Sequence, residues 1–104
     1  GNGVFVGRAA VVGTDAKIGD ATILNTRASI DHDCKIGLAN HIAPGATLSG
    51  EVTTGERVWL GTGGSVRQRV RIGADAMVGV GAAVVGNLPG AQTYAGVPAR
   101  ALGK

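Results

Sequence analysis

Two histidines, one cysteine and a handful of acids are the side chains of this 104-residue sequence best suited to polar chemistry. His32 lies in the run Asp31-His32-Asp33-Cys34, and His41 follows nine residues later. Histidine accepts a proton near neutral pH at its ordinary pKa, which makes His32 a candidate general base. Asp33 beside it could orient the imidazole and stabilise the imidazolium formed on proton uptake. The plainer reading of Asp33 is a solvated corner acid. Cys34 is a potential nucleophile, to be judged by whether its position faces inward. Gly50 lies 18 residues after His32, and a backbone N–H there could face a developing oxyanion; the plainer reading is a turn glycine.

The elements that hold these residues are written in a six-residue rule. Counting from Val6 in sixes gives Val6, Val12, Ile18, Leu24, Ile30, Ile36, Ile42, Leu48, Thr54, Leu60, Val66, Ile72, Val78 and Val84, with thirteen of the fourteen aliphatic. The next position is mostly Gly, Asn or Asp, the types that best tolerate positive φ at a tight corner. Two residues before each aliphatic sits a small or β-branched side chain such as Ala10, Ala28, Cys34, Ala46 or Val58. This period is too long for a strand and wrong for a helix, and it marks a parallel β-helix of hexapeptide repeats. Three hexads close one triangular coil, so residues 18 apart stack at about 4.8 Å.

The register predicts an all-β solenoid of about five coils over residues 1–86, followed by a turn and short extended tail over 87–104 within the same domain. It also sorts the chemistry. Cys34 falls in the small inward slot and is expected to be a buried, inert thiol. His32, two residues past Ile30, and His41, one before Ile42, fall outside the inward slots and should project from the prism.

Composition supports this. The sequence is 44% hydrophobic but 3% aromatic, with 19 glycines, so burial must come from small aliphatic side chains in a regular array. The net charge of +3, with Arg67, Arg69 and Arg71 close together, suits a phosphate-bearing ligand or simply a solvated edge. Nucleic-acid binding ranks last, because aromatic platforms and a recognisable module are lacking. A single cysteine fits a reducing cytoplasm. No apolar run approaches the roughly 18 residues of a membrane span, and the opening does not read as a signal peptide. The chain starts at Gly1 in mid-pattern, as expected of a piece cut from something longer. A lone prism of this size has flat faces and little interior, which predicts a homo-oligomer.

The stretch Asn25-Thr26 through Asp31-His32-Asp33-Cys34, the run His41-Ile42-Ala43-Pro44-Gly45-Ala46, and the closing Gly96-Val97-Pro98-Ala99-Arg100 resemble hexapeptide-repeat sugar acetyltransferases of the sialic-acid O-acetyltransferase and UDP-amino-sugar N-acetyltransferase type. The resemblance covers nearly the whole chain. It implies a left-handed coil, a handedness that spacing does not give. It also implies direct acetyl transfer from acetyl-CoA to an amine or hydroxyl of a nucleotide-linked sugar, with no metal.

In that frame His32 matches the general base and Asp33 its acidic neighbour. His41 matches a residue contacting the acetyl group, and Gly50 a donor to the thioester oxygen. Asn25 matches a polar residue near the acceptor. Thr62 and Val80 match backbone positions that hold the pantetheine arm, and Arg100 matches a partner for a CoA phosphate. Members are typically homotrimers with active sites between subunits. Relatives also carry an N-terminal Rossmann-like domain that binds the nucleotide, and these 104 residues do not contain it.

Two other readings compete. A γ-type carbonic anhydrase shares the left-handed β-helix, but its zinc site needs three histidines and this sequence has two. A catalytically inactive CoA-binding or scaffold β-helix would keep the coil without turnover; an ice-binding face would show regular threonine ladders, whereas these threonines are scattered.

Overall fold

Each hexad folds as a two-residue strand and a four-residue corner. In the computed structural model, which describes residues 1–102, the strands are β1 (Phe5–Val6), β2 (Val11–Val12), β3 (Lys17–Ile18), β4 (Ile23–Leu24), β5 (Ser29–Ile30), β6 (Lys35–Ile36), β7 (His41–Ile42), β8 (Thr47–Leu48), β9 (Thr53–Thr54), β10 (Trp59–Leu60), β11 (Ser65–Val66), β12 (Arg71–Ile72), β13 (Met77–Val78), β14 (Ala83–Val84), β15 (Thr93–Ala95) and β16 (Arg100–Ala101). Every third strand stacks into one face of a prism measuring 37 × 20 × 20 Å. The first face runs β1-β4-β7-β10-β13-β15-β16, the second β2-β5-β8-β11-β14, the third β3-β6-β9-β12. Pairing is parallel with an 18-residue register, as in Ile23↔His41↔Trp59↔Met77. The chain is a left-handed parallel β-helix of about five coils, as expected from the hexads and the resemblance.

From Leu24 onward the aliphatic slots fill the interior, whereas Val6 and Val12 of the first coil are exposed. Leu24, Ile30, Ile42, Leu48, Leu60, Ile72 and Val78 are fully buried in one continuous column with Ala28, Cys34, Ala46 and Ala82. The one non-aliphatic slot, Thr54, has a reason. Its hydroxyl donates to Asn40 Oδ1 at 2.6 Å and accepts from the Gly37 N–H at 3.0 Å. Asn40 in turn donates to the Gly55 carbonyl at 2.8 Å, and Thr22 Oγ1 donates to the Gly37 carbonyl at 2.9 Å. These three buried polar side chains satisfy one another and stitch three coils along one corner.

The expectation that positive φ falls on the Gly, Asn and Asp directly after each aliphatic is wrong. The left-handed residues come two positions later, every sixth residue, and include Ala9, Asp15, Arg27, Asp33, Glu51 and Arg69. The glycines answer to space instead. A Cβ on Gly37 would strike the Gly55 carbonyl of the next coil. At these corners backbone stacks on backbone and leaves no room for a side chain, whereas Asn25, Asp31 and Arg67 hold the equivalent slot elsewhere.

The 18-residue step shortens at the far end. Met77 pairs with Thr93 and Val78 with Tyr94, so β15 extends the first face past residue 86. The chain then turns back, and β16 pairs antiparallel with β15. Tyr94 is buried there, its hydroxyl donating to the Pro89 carbonyl at 2.7 Å. No helix among the described residues is long and apolar enough to cross a membrane.

Candidate active site

His32 and Asp33 occupy the corner between β5 and β6, where the second face meets the third. Asp31 Oδ1 accepts the His32 N–H at 2.7 Å, and the His32 carbonyl accepts the Glu51 N–H at 2.9 Å. Asp33 sits at φ 58°, and this left-handed turn brings its carboxylate back toward the preceding side chain. Its Oδ2 meets His32 Nδ1 at 3.0 Å. A carboxylate only accepts, so Nδ1 carries the proton and Nε2 is left as the basic nitrogen. The Asp33 hydrogen bond raises the His32 pKa above its ordinary 6.5, and the charges of Asp31, Asp33 and Glu51 add to the rise against a smaller desolvation effect.

Gly50 is the floor beneath this histidine. A Cβ there would collide with His32 Nε2, so only glycine admits the ring in this pose. Among the described residues no acceptor meets the Gly50 N–H, while its carbonyl accepts from the Arg69 N–H at 3.0 Å. Cys34 is buried as its slot predicts, and its thiol donates to the Ser49 carbonyl at 3.1 Å. Burial pushes that thiol's pKa up, away from nucleophilic use.

The other sequence-derived residues lie elsewhere on the prism. His41 projects from β7 on the first face, the side opposite the His32 corner. Asn25, Thr62 and Val80 line the corner between the first and second faces; Asn25 Oδ1 accepts the Thr26 N–H at 2.7 Å, and the Thr62 carbonyl accepts the Gly81 N–H at 2.8 Å. Arg100 lies exposed on β16 at the end of the first face. One chain therefore gathers His32, Asp33 and Gly50 and leaves His41, Asn25, Thr62, Val80 and Arg100 facing away from them. Among the described residues no three His, Cys, Asp or Glu side chains gather as a metal site.

The fold has counterparts among solved structures. PerB from Caulobacter crescentus, in complex with CoA and GDP-perosamine, matches with 42% identity and a TM-score of 0.88, over 99% of this chain and 53% of that one. The acetyltransferase domain of PglB from Neisseria gonorrhoeae, in complex with acetyl coenzyme A, matches with 36% identity and a TM-score of 0.84, over 98% of this chain and 53% of that one. WeeI from Acinetobacter baumannii matches with 31% identity and a TM-score of 0.80, over 95% and 52%. The chain matches the β-helix of the hexapeptide-repeat sugar acetyltransferases. It spans about half the length of each of these proteins. No protein-family model matches the chain, and a comparison with curated proteins finds none that matches.

Two features of this hexapeptide-repeat β-helix escaped the sequence reading. Trp59 stacks on His41 with ring centroids 4.1 Å apart and planes 12° apart. The same 18-residue offset that leads from His32 to Gly50 leads from His41 to Trp59, so the signal was present. Glu51, which accepts from Arg69 Nε at 2.9 Å, adds to the negative field at His32 through a fold contact that adjacency does not show.

Proposed function

We propose that this chain carries the catalytic β-helix of an acyltransferase that moves an acetyl group from acetyl-CoA to a nucleotide-linked sugar, with His32 as general base. The observation that carries the reading is the His32–Asp33 pair with Nε2 poised over Gly50. Nε2 takes the proton of the acceptor's amine or hydroxyl as that group attacks the thioester carbonyl. Asp33 stabilises the imidazolium, and the unengaged Gly50 N–H is the donor for the oxygen that gains charge. The proton leaves with the thiol of CoA, so no covalent enzyme intermediate is needed. The perosamine N-acetyltransferase of Caulobacter, solved with CoA and GDP-perosamine, favours an amine on a nucleotide sugar as acceptor.

The rest of the site comes from a second copy. The outward row of the first face is Phe5, Ile23, His41, Trp59 and Met77, and that of the second is Val11, Ser29, Thr47, Ser65 and Ala83. Neither row carries an acid, a lysine or an arginine, whereas the third face shows Lys17, Lys35, Thr53 and Arg71. Phe5, Trp59 and Met77 are each about half exposed, at 57%, 45% and 49%. Packing the first face of one copy against the second face of the next closes a ring of three and leaves the charged face outside. It places His41 and Arg100, on the first face of one copy, against the second face of the next, whose outer edge carries His32; the corner of Asn25, Thr62 and Val80 turns toward the threefold axis. A cytoplasmic location, where acetyl-CoA is made, belongs to the same reading.

The test is thiol release from acetyl-CoA against a panel of nucleotide-linked amino sugars, GDP-perosamine first. Release requiring both substrates is the expected result. No release with any acceptor, together with no thermal stabilisation by CoA, would overturn the reading.

A further inference from the structure

The corner that holds His32 changes sign along its length. At the coils of Asp15, Asp31, Asp33 and Glu51 its charges are acidic, apart from His32 itself, with Lys17 and Lys35 beside them on the third face; one coil further they become Arg67 and Arg69, with Arg71 beside them. Arg69 is engaged by Glu51, but Arg67 meets no carboxylate among the described residues and is exposed. Arg67, Gln68 and Arg69 form a hollow with Val70, Val85, Gly86 and Asn87. Asn87 is fixed there, because its Oδ1 accepts the Arg71 N–H at 2.8 Å, which turns the amide NH2 free to donate.

Gln68 and Gly86 continue the column of His32 and Gly50, two and three coils along. At about 4.8 Å per coil, the hollow lies roughly 10–14 Å from the histidine. The pantetheine arm between the thioester sulfur and the first phosphorus spans roughly 15 Å when extended, from standard bond lengths. Length and sign agree: thioester at the acidic end, phosphates at the basic end.

We infer that the hollow of Arg67, Gln68 and Asn87 seats phosphate groups of the acyl donor, with Arg67 as the charged contact. This deepens the reading of the site as CoA-dependent and rests on it. It adds an anchor on the same copy as the base, alongside the Arg100 expected from a neighbouring copy.

Binding of CoA and of S-acetylpantetheine, which lacks the nucleotide and its phosphates, separates the claims when measured by calorimetry on the wild-type chain and Arg67→Gln. A charge-assisted hydrogen bond of ordinary strength predicts that Arg67→Gln weakens CoA about tenfold or more. S-acetylpantetheine, measured at higher concentration, should bind both proteins equally, and the CoA affinity of the wild type should fall more steeply with salt. If wild type binds CoA and Arg67→Gln binds it equally well, or if both ligands weaken alike, the phosphate seat is wrong while the donor assignment stands. If the wild type binds no CoA, both fall.

Discussion

His32 is set up by neighbours that each act on a different part of it. Asp31 fixes its backbone, Asp33 its Nδ1, and Gly50 the space beneath Nε2. Because the Asp33 hydrogen bond is the largest cause of the raised pKa, Asp33→Asn should lower that pKa. A general base works when deprotonated, so the acid limb of the pH–rate profile should then move to lower pH, with a smaller plateau from the lost orientation. A limb that stays in place or moves upward would contradict the pairing. Gly50→Ala should cost at least tenfold in turnover, because the new methyl evicts the ring. Circular dichroism and the melting temperature should change far less, since the displaced side chain is an exposed one. His32 and Asp33 were legible because they are adjacent, and Gly50 because it is one coil away in a strict count. The support from Glu51 was not, since nothing in a sequence tells which way an acid on the next turn leans.

The repeating element is a strand of two residues and a corner of four, and its stability is nearest-neighbour in character. Leu60→Ala, at a fully packed slot, should cost about 2–5 kcal/mol by chemical denaturation. Gly37→Ala should also destabilise, although no left-handed backbone is involved there, because its methyl meets the Gly55 carbonyl. The sequence shows the period and the inward slots plainly, since an aliphatic held to every sixth position over so many hexads fits neither a helix nor a single long strand. It misleads on the glycines. Their pattern suggests a backbone demand, and the coil instead makes a demand for space, while Ala9, Arg27 and Asp33 take up the left-handed conformation. The step from Met77 to Thr93 was illegible for a different reason: two residues are dropped at the corner, which ends the count without ending the stack.

At the scale of the molecule, the residues divide into two half-sites on opposite sides of one prism. Sequence counting finds both halves and also their separation, because nine residues from His32 to His41 are half of an 18-residue coil. Trp59 lies in the uncharged row of the first face from Phe5 to Met77, so Trp59→Glu should weaken association and reduce the mass seen by light scattering toward that of one chain. Activity should fall with it; full activity in a monomeric variant would show that no second copy is needed. The most direct test of the whole account is turnover of His32→Ala at saturating acetyl-CoA and acceptor, with wild-type melting and CoA affinity as controls. Loss of a general base predicts a fall of about a hundredfold or more with CoA binding retained. Turnover near the wild-type rate in that variant would contradict the account.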